Sequence, residues 1–321
     1  MTKRILKKCF RITSFLMILI LMLGGISWIV SPKDNRNMHN TTANGFLGEK
    51  PNTIDVLILG DSESFTSFSP MQIWRDYGYT TYVCGTSRQY VQDTYNFLVS
   101  FTESQKPKVV FLEANLMYRA EGRLGDIFRV AQNTASKFMP VFEYHNRWKR
   151  LGINDFHKTK GYTWRDELKG FRINGKIVPY EGTPQYMKKT DKAKRLPPVC
   201  TYYFRKMAEL CKEKNIELVL VSTASPANWS YEKHNGVDKL AKEYGLTYLD
   251  MNLIVDKLNI DWKNDTYDKG DHLNFYGAQK ATAYLGEYIK NNFSITDNRG
   301  KEEFKHWDDD LKVYEKNAAK L

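Results

Sequence analysis

The chain is poor in the residues that build disulfide or metal frameworks. Its 321 residues include four cysteines and six histidines. Cys9 falls in a basic N-terminal flank, which leaves Cys84, Cys200 and Cys211, an odd number without paired spacing, so neither a disulfide scaffold nor a zinc motif is implied. Cys84 ends an apolar run and reads as a small buried hydrophobe. Also missing are Gly-x-Ser-x-Gly, Gly-x-Gly-x-x-Gly, Gly-x-x-x-x-Gly-Lys-Ser/Thr and His-Glu-x-x-His. Their absence removes the signals for a nucleophile elbow, phosphate-cradling loops and a zincin helix, and the expectation is chemistry with no cofactor and no metal. Acidic residues are the minority, 37 against 48 Lys and Arg, for a net charge of +11. That balance favours anionic surfaces such as lipid or a wall polymer. No basic run with interleaved aromatics or recognition-helix pattern accompanies it, so nucleic acid is not an expected partner.

What the sequence does have begins at its N-terminus. Lys3, Arg4, Lys7, Lys8 and Arg11 precede an uncharged stretch from Ile12 to Pro32, about the length that crosses a bilayer. The basic flank predicts a cytoplasmic N-terminus, with the chain from Ser31 onward outside the cell membrane and Trp28 at the outer interface. A cleaved signal peptide would have a shorter apolar region and a small-residue cleavage site, so an uncleaved single-pass signal-anchor is expected. Residues 1–30 then form the tail and anchor, and the polar, aperiodic residues 31–52 form a tether.

From Ile54 onward, short apolar runs alternate with amphipathic segments. Ile54–Leu59, Thr80–Cys84 and Lys108–Ala114 read as strands, and Pro70–Tyr77 and Arg88–Ser104 as helices. The alternation resumes with helix Pro197–Lys214, strand Ile216–Val221, helix Tyr231–Tyr244, strand Leu246–Asp250 and a last helix Asn274–Asn291. This predicts an α/β fold: a three-layer α/β/α sandwich on a mainly parallel five-stranded, flavodoxin-like sheet, spanning residues 53–292. An insertion of residues 116–196 after the third strand reads as a cap beside the active site. Within it, Asn174-Gly175 suggests a hairpin turn over Gly170–Tyr180. In the charged C-terminal tail, residues 293–321, Phe304, Trp307, Leu311 and Tyr314 recur at helical spacing and should dock on the domain.

Gly60-Asp-Ser-Glu-Ser64 follows the first strand, which places a hydroxyl at the carboxyl edge where open α/β sheets bind ligands. Ser62 is the candidate nucleophile, although a turn capped by Asp61 or Ser62 gives the same residues. A serine needs a base, and the base needs an orienting partner. His39 lies in the tether, His145 and His157 in the insertion, His234 on a polar helix and His306 in the tail. His272, in Tyr267-Asp-Lys-Gly-Asp-His-Leu-Asn274, remains, on the same sheet edge as Ser62. Gly85 and Asn115, after the second and third strands, together with the Ser62 N–H, would supply oxyanion donors.

With Ser, Gly, Asn and His in this order at these strand ends, residues 54–292 resemble the SGNH (GDSL-like) hydrolase superfamily. That resemblance implies Ser62 as nucleophile, His272 as base, and Gly85 and Asn115 as oxyanion donors. The family's Asp three residues before the histidine is Lys269 here, leaving Asp268 and Asp271 as candidates for the third member; Asp268 fits if Gly270 absorbs the extra residue. Asn115 also lacks the usual Gly-x-Asn-Asp context. Ile54–Gly60, Phe68-Ser-Pro70 with Trp74, Ser225-Pro-Ala-Asn-Trp229, His234-Asn235 and Gly270–Asn274 with Gly277-Ala278 are similar to membrane-anchored members of that superfamily. Those members include the D-alanyl transfer protein of teichoic-acid modification and the alginate-type acetyltransferases. The narrower resemblance implies an extracytoplasmic serine O-acyltransferase moving an acetyl or D-alanyl group to a cell-envelope polysaccharide or teichoic acid, beside a membrane-bound O-acyltransferase partner. An esterase or deacetylase using the same triad is the alternative. A silent scaffold for the membrane acyltransferase is a further one.

Overall fold

The computed structural model describes residues 3–183 and 185–321. They divide into two compact units, Met1–Met38 with Glu121–Tyr162 and His39–Ala120 with Thr163–Leu321.

The larger unit is built on five parallel strands, β1 (Val56–Gly60), β2 (Thr81–Gly85), β3 (Val109–Glu113), β4 (Glu217–Ser222) and β5 (Thr247–Asp250), in the order β2-β1-β3-β4-β5. Every residue of β1 and β3 is buried, as a sheet covered on both faces requires. Alternation then sorts side chains between two cores. Leu57, Leu59, Val110, Leu112, Leu218 and Leu220 face one, and Val56, Ile58, Val109, Phe111, Val219 and Val221 face the other.

The helices are α1 (Lys3–Val30), α2 (Ser62–Ser67), α3 (Pro70–Tyr77), α4 (Val91–Ser104), α5 (Gly122–Phe138), α6 (Val141–Tyr144), α7 (Pro198–Glu213), α8 (Tyr231–Tyr244), α9 (Phe275–Asn292) and α10 (Lys305–Ala318). Helices α4, α7 and α8 bury apolar residues in the first core and α9 chiefly in the second. Their boundaries follow local chemistry: Ser69 caps α3 with Pro70 at its first position, and Gly78 ends it in the left-handed region.

Two segments depart from the sequence reading. Residues 42–48 of the expected tether form a 3₁₀ helix whose Phe46 is fully buried, 4.8 Å from the Phe101 ring. Its lone aromatic among Thr, Asn and Gly residues has no periodicity to betray it. Over 170–180 there is no hairpin. Lys176 N–H donates to the Asn174 side chain, while Arg172, Val178 and Tyr180 donate their N–H groups to Phe65, Thr266 and Trp262. Distant loops, rather than a second arm, satisfy this backbone.

The tail does fold against the larger unit: Trp307 and Tyr314 of α10 are buried, with Trp307 5.3 Å from the Trp74 ring. Beside Trp307, the fully buried Lys169 ammonium donates to Glu49 at 2.7 Å and to Asp310 at 2.5 Å. His306 holds the other Glu49 oxygen at 2.9 Å, so the end of the 3₁₀ segment, the Lys169 loop and α10 share one charge network.

In the smaller unit, α1 is long and apolar enough to cross a membrane, a test that a signal sequence passes as well. The insertion joins it at its C-terminal end. Ser27 Oγ accepts the Val141 N–H, and the Arg147 guanidinium donates to the carbonyls of Val30 and Ser31 while pairing with Asp155 at 2.7 Å.

Candidate active site

β1 delivers the chain to a tight bend. A Cβ on Gly60 would lie 2.7 Å from the Cβ atoms of both Glu113 and Ser64, so only glycine lets the strand end there. Asp61 follows as N-cap of α2: it accepts the Glu63 N–H at 3.1 Å and is held by Arg119 at 2.6 Å. Ser62 thus occupies the first position of α2, where its N–H has no partner within the helix. It is partly exposed while Asp61, Glu63 and Ser64 are buried.

The loop before α9 brings the histidine. Thr266 and Leu273 form an antiparallel bridge, and between them Lys269 (φ 65°) and Gly270 (φ 88°) are both left-handed. That reversal folds Asp268 back onto His272, accepting its N–H at 2.7 Å and facing Nδ1 at 2.6 Å. The other ring nitrogen, Nε2, lies 2.7 Å from Ser62 Oγ. Asp271 stands farther off, 3.5 Å from Nδ1. It instead accepts from Asn228. The Tyr267 ring stacks on the imidazole, 5.5 Å between centroids and 13° from parallel.

Gly85 closes the opposite wall. A Cβ there would sit 2.5 Å from Ser64 Oγ, so glycine is required for the packing beneath Ser62. Asn115 opens the short 3₁₀ turn Asn115–Tyr118; its N–H donates to the Glu113 carboxylate, and its Oδ1 accepts from Lys233 Nζ at 3.2 Å. The lysine fixes the amide's orientation and leaves Nδ2 as its donor end.

The surroundings hold groups that no sequence motif announced. Glu63 is buried behind the Ser62–His272–Asp268 chain, accepting from Thr223 Oγ1 and Asn228 Nδ2, each at 2.9 Å. Burial, with the Asp61 charge beside it, pushes its carboxyl up to about 7 against the opposing pull of His272 and these two hydrogen bonds. Burial raises Glu113 well above the carboxylate range too, and lowers Lys233. For His272, burial alone would lower the pKa; the Asp268 hydrogen bond and the charges of Glu63, Asp271 and Asp268 overcome it and raise it to about 9. Asn228 was visible as part of Ser225-Pro-Ala-Asn-Trp229, but nothing local shows that it spans Glu63 and Asp271. Glu63, Asp271 and His272 present ligand atoms within 4.8 Å of one another. Both His272 nitrogens are already engaged, by Asp268 and Ser62, so a cation would have to break that chain.

Solved lipases and esterases are similar to this chain. A GDSL-like lipase from Bacteroides thetaiotaomicron is 15% identical, covering 74% of this chain and 88% of its own, with a TM-score of 0.35. The psychrotrophic esterase EstA from Pseudoalteromonas sp. is 12% identical (74% and 97% covered, TM-score 0.41). The lipase/acylhydrolase from Enterococcus faecalis is 10% identical (76% and 99% covered, TM-score 0.39). No protein-family model and no curated protein matches. Scores this low carry nothing about activity, which has to be read from the side chains.

Beside Gly85 and Phe65 opens a cleft of about 770 Å³, walled further by Thr86, Ser87, Arg172 and Ile173. Arg172 connects it to Tyr267 and so to the His272 loop. Its N–H is fixed to the Phe65 carbonyl at 2.9 Å, and its charge favours ionisation of Tyr267, whose ring covers His272, against the stronger effect of burial. A partly exposed hydroxyl, a hydrogen-bonded imidazole and a roomy cleft of mixed polar and apolar lining at the carboxyl edge are what nucleophilic acyl chemistry uses.

Proposed function

We propose that this protein is a serine acyl-transfer enzyme of the SGNH type, with Ser62 as nucleophile, His272 as general base and Asp268 as the carboxylate that orients it. The observation carrying this reading is the continuous chain from Ser62 Oγ through His272 to Asp268, 2.7 and 2.6 Å long in its two links. In the first step the Ser62 hydroxyl proton passes to Nε2 as Oγ attacks the acyl carbon. The Ser62 and Gly85 N–H groups and Asn115 Nδ2 face the developing oxyanion. Collapse breaks the bond to the leaving alcohol, which takes the proton from Nε2. In the second step an incoming hydroxyl gives its proton to Nε2 as it attacks the acyl carbon; collapse breaks the bond to Ser62 Oγ, which takes that proton back from Nε2.

The acceptor in our reading is a hydroxyl of a cell-envelope polysaccharide or teichoic acid, and the acyl group is acetyl or D-alanyl, supplied through a membrane-bound O-acyltransferase. Helix α1 supports this by offering a means of holding the site next to a membrane, and the net charge of +11 suits an anionic polymer.

The test is intact mass after incubation with p-nitrophenyl acetate. Wild type should gain about 42 Da, the mass of one acetyl group, and Ser62→Ala should not. Failure of folded wild-type protein to acylate overturns the nucleophile assignment. Adding a polyol then separates the fates: acetylated polyol supports transfer, whereas free acetate alone supports an esterase.

A further inference from the structure

Helix α5 is amphipathic with its apolar side uncovered. At 100° per residue, Leu124, Ile127, Phe128, Ala131, Ala135 and Phe138 share one arc about 100° wide, with Asp126, Arg129, Asn133 and Lys137 opposite. A helix in a globular unit turns such an arc inward. Here no residue of α5 is buried, and Leu124, Phe128 and Phe138 are 71%, 72% and 83% exposed. Phe142, Trp148, Ile153 and Phe156 of the same insertion are exposed as well.

What covers this surface is indicated by where it is attached. The insertion is bonded to the last turn of α1, through Ser27, Val30 and Ser31. Lys33 lies over the Trp28 ring at 4.1 Å, and its carbonyl accepts the Gly161 N–H. That is the point at which a membrane-spanning α1 leaves the bilayer, marked by a tryptophan and a lysine of the interfacial type. Residues 121–162 carry eight Lys and Arg against four Asp and Glu, and so suit anionic headgroups.

We propose that α5 and the insertion around it form a lipid-interface platform, with the Leu124–Phe138 arc lying among the headgroups and upper acyl chains of the membrane that α1 enters. Together the two helices make an anchor of two parts: α1 spans, and α5 lies in the plane, setting the depth at which the insertion around it sits. This rests on α1 being retained in the bilayer, and it is independent of the acyl chemistry.

The test uses the full chain with Cys9→Ser, because Cys9 is the exposed cysteine among the described residues. Nitroxide labels are placed singly at Phe128→Cys, Phe138→Cys and Asn133→Cys, with Leu19→Cys in α1 as reference. Each protein is reconstituted alone into phosphatidylcholine vesicles containing a minority of phosphatidylglycerol. Collision rates with oxygen and with a water-soluble nickel chelate are then measured. The expected result is oxygen-rich, nickel-poor labels at 19, 128 and 138, and a nickel-accessible label at 133. Nickel access at 128 and 138 with position 19 still shielded overturns the platform while leaving the anchor intact. Nickel access at 19 as well shows that the anchor itself is wrong. Shielding of 128 from both reagents means protein covers the arc, and also overturns the proposal.

Discussion

Glu63 should govern the pH at which the proposed base works. His272 holds its proton to about 9, against an ordinary 6.5, a difference on the order of 3 kcal/mol. Burial opposes this, so hydrogen bonding and negative charge must supply it. The Glu63 carboxylate, within 4.8 Å of an imidazole nitrogen, is worth roughly 3 kcal/mol at an effective dielectric near 20. It is fully ionised only above its own value of about 7. Glu63→Gln keeps the shape, with the amide NH₂ facing the Thr223 hydroxyl, which can turn to accept. Removing the charge should lower the apparent pKa of the base by about 2 units. The assay is the rate of p-nitrophenyl acetate burst against pH. Wild type should rise through about 9, and the variant should reach half its plateau about 2 units lower. Its plateau should fall a few-fold, since a weaker base transfers the proton less readily. An unmoved midpoint in Glu63→Gln would refute the argument, as would a wild-type rate already flat at neutral pH.

The same two groups contribute to the pH dependence of stability. His272 titrates above its unfolded value, so its contribution is present below about 6.5 and lost as pH rises through about 9. Glu63 keeps a proton that the unfolded chain releases near 4.5, so the native state loses ground from there to about 7. Both slopes have one sign, and burial of Glu113 and Asp166 raises them as well and adds to the acid part; thermal unfolding should show stability falling between about 4.5 and 9, with the acid half made shallower by Glu63→Gln, and a steeper acid half in that variant would contradict the assignment. Asp268→Asn should slow acylation on the order of 10⁴-fold and Asp271→Asn less than tenfold, measured as burst rates; the reverse ranking would transfer the orienting role to Asp271. Lys169→Met leaves Glu49 and Asp310 without their buried cation and should cost about 3 to 5 kcal/mol in denaturant titration while Ser62 labelling of the folded fraction persists.

The parts of the molecule legible in its sequence are those written within a few residues. The continuous apolar runs of β1 and β3, the Ser69-Pro70 start of α3 and the Asn274 cap of α9 are local statements, and the α/β alternation follows from them. Ser62 and His272 could be paired because strand ends gather at one edge whatever the loop lengths. Phe46 and Lys169 could not be placed, since a single buried residue in an aperiodic segment leaves no pattern. Nor could Glu63. It follows the serine on a helix first turn, and a side chain there reads as solvent-facing and acidic until Thr223 and Asn228 arrive from beyond β4 to bury it. The ambiguity between Asp268 and Asp271 has the same origin. Counting residues puts both near His272, but the left-handed pair Lys269 and Gly270 decides which carboxylate meets Nδ1. Only Gly270 advertises such a conformation, and Lys269 adopts it while its N–H is tied to the Val178 carbonyl at 3.2 Å. The geometry of the site therefore depends on the strand-free stretch 170–180, which also holds Phe65 and Thr266 in place. Substitutions there should misalign the His272 loop before they unfold the sheet.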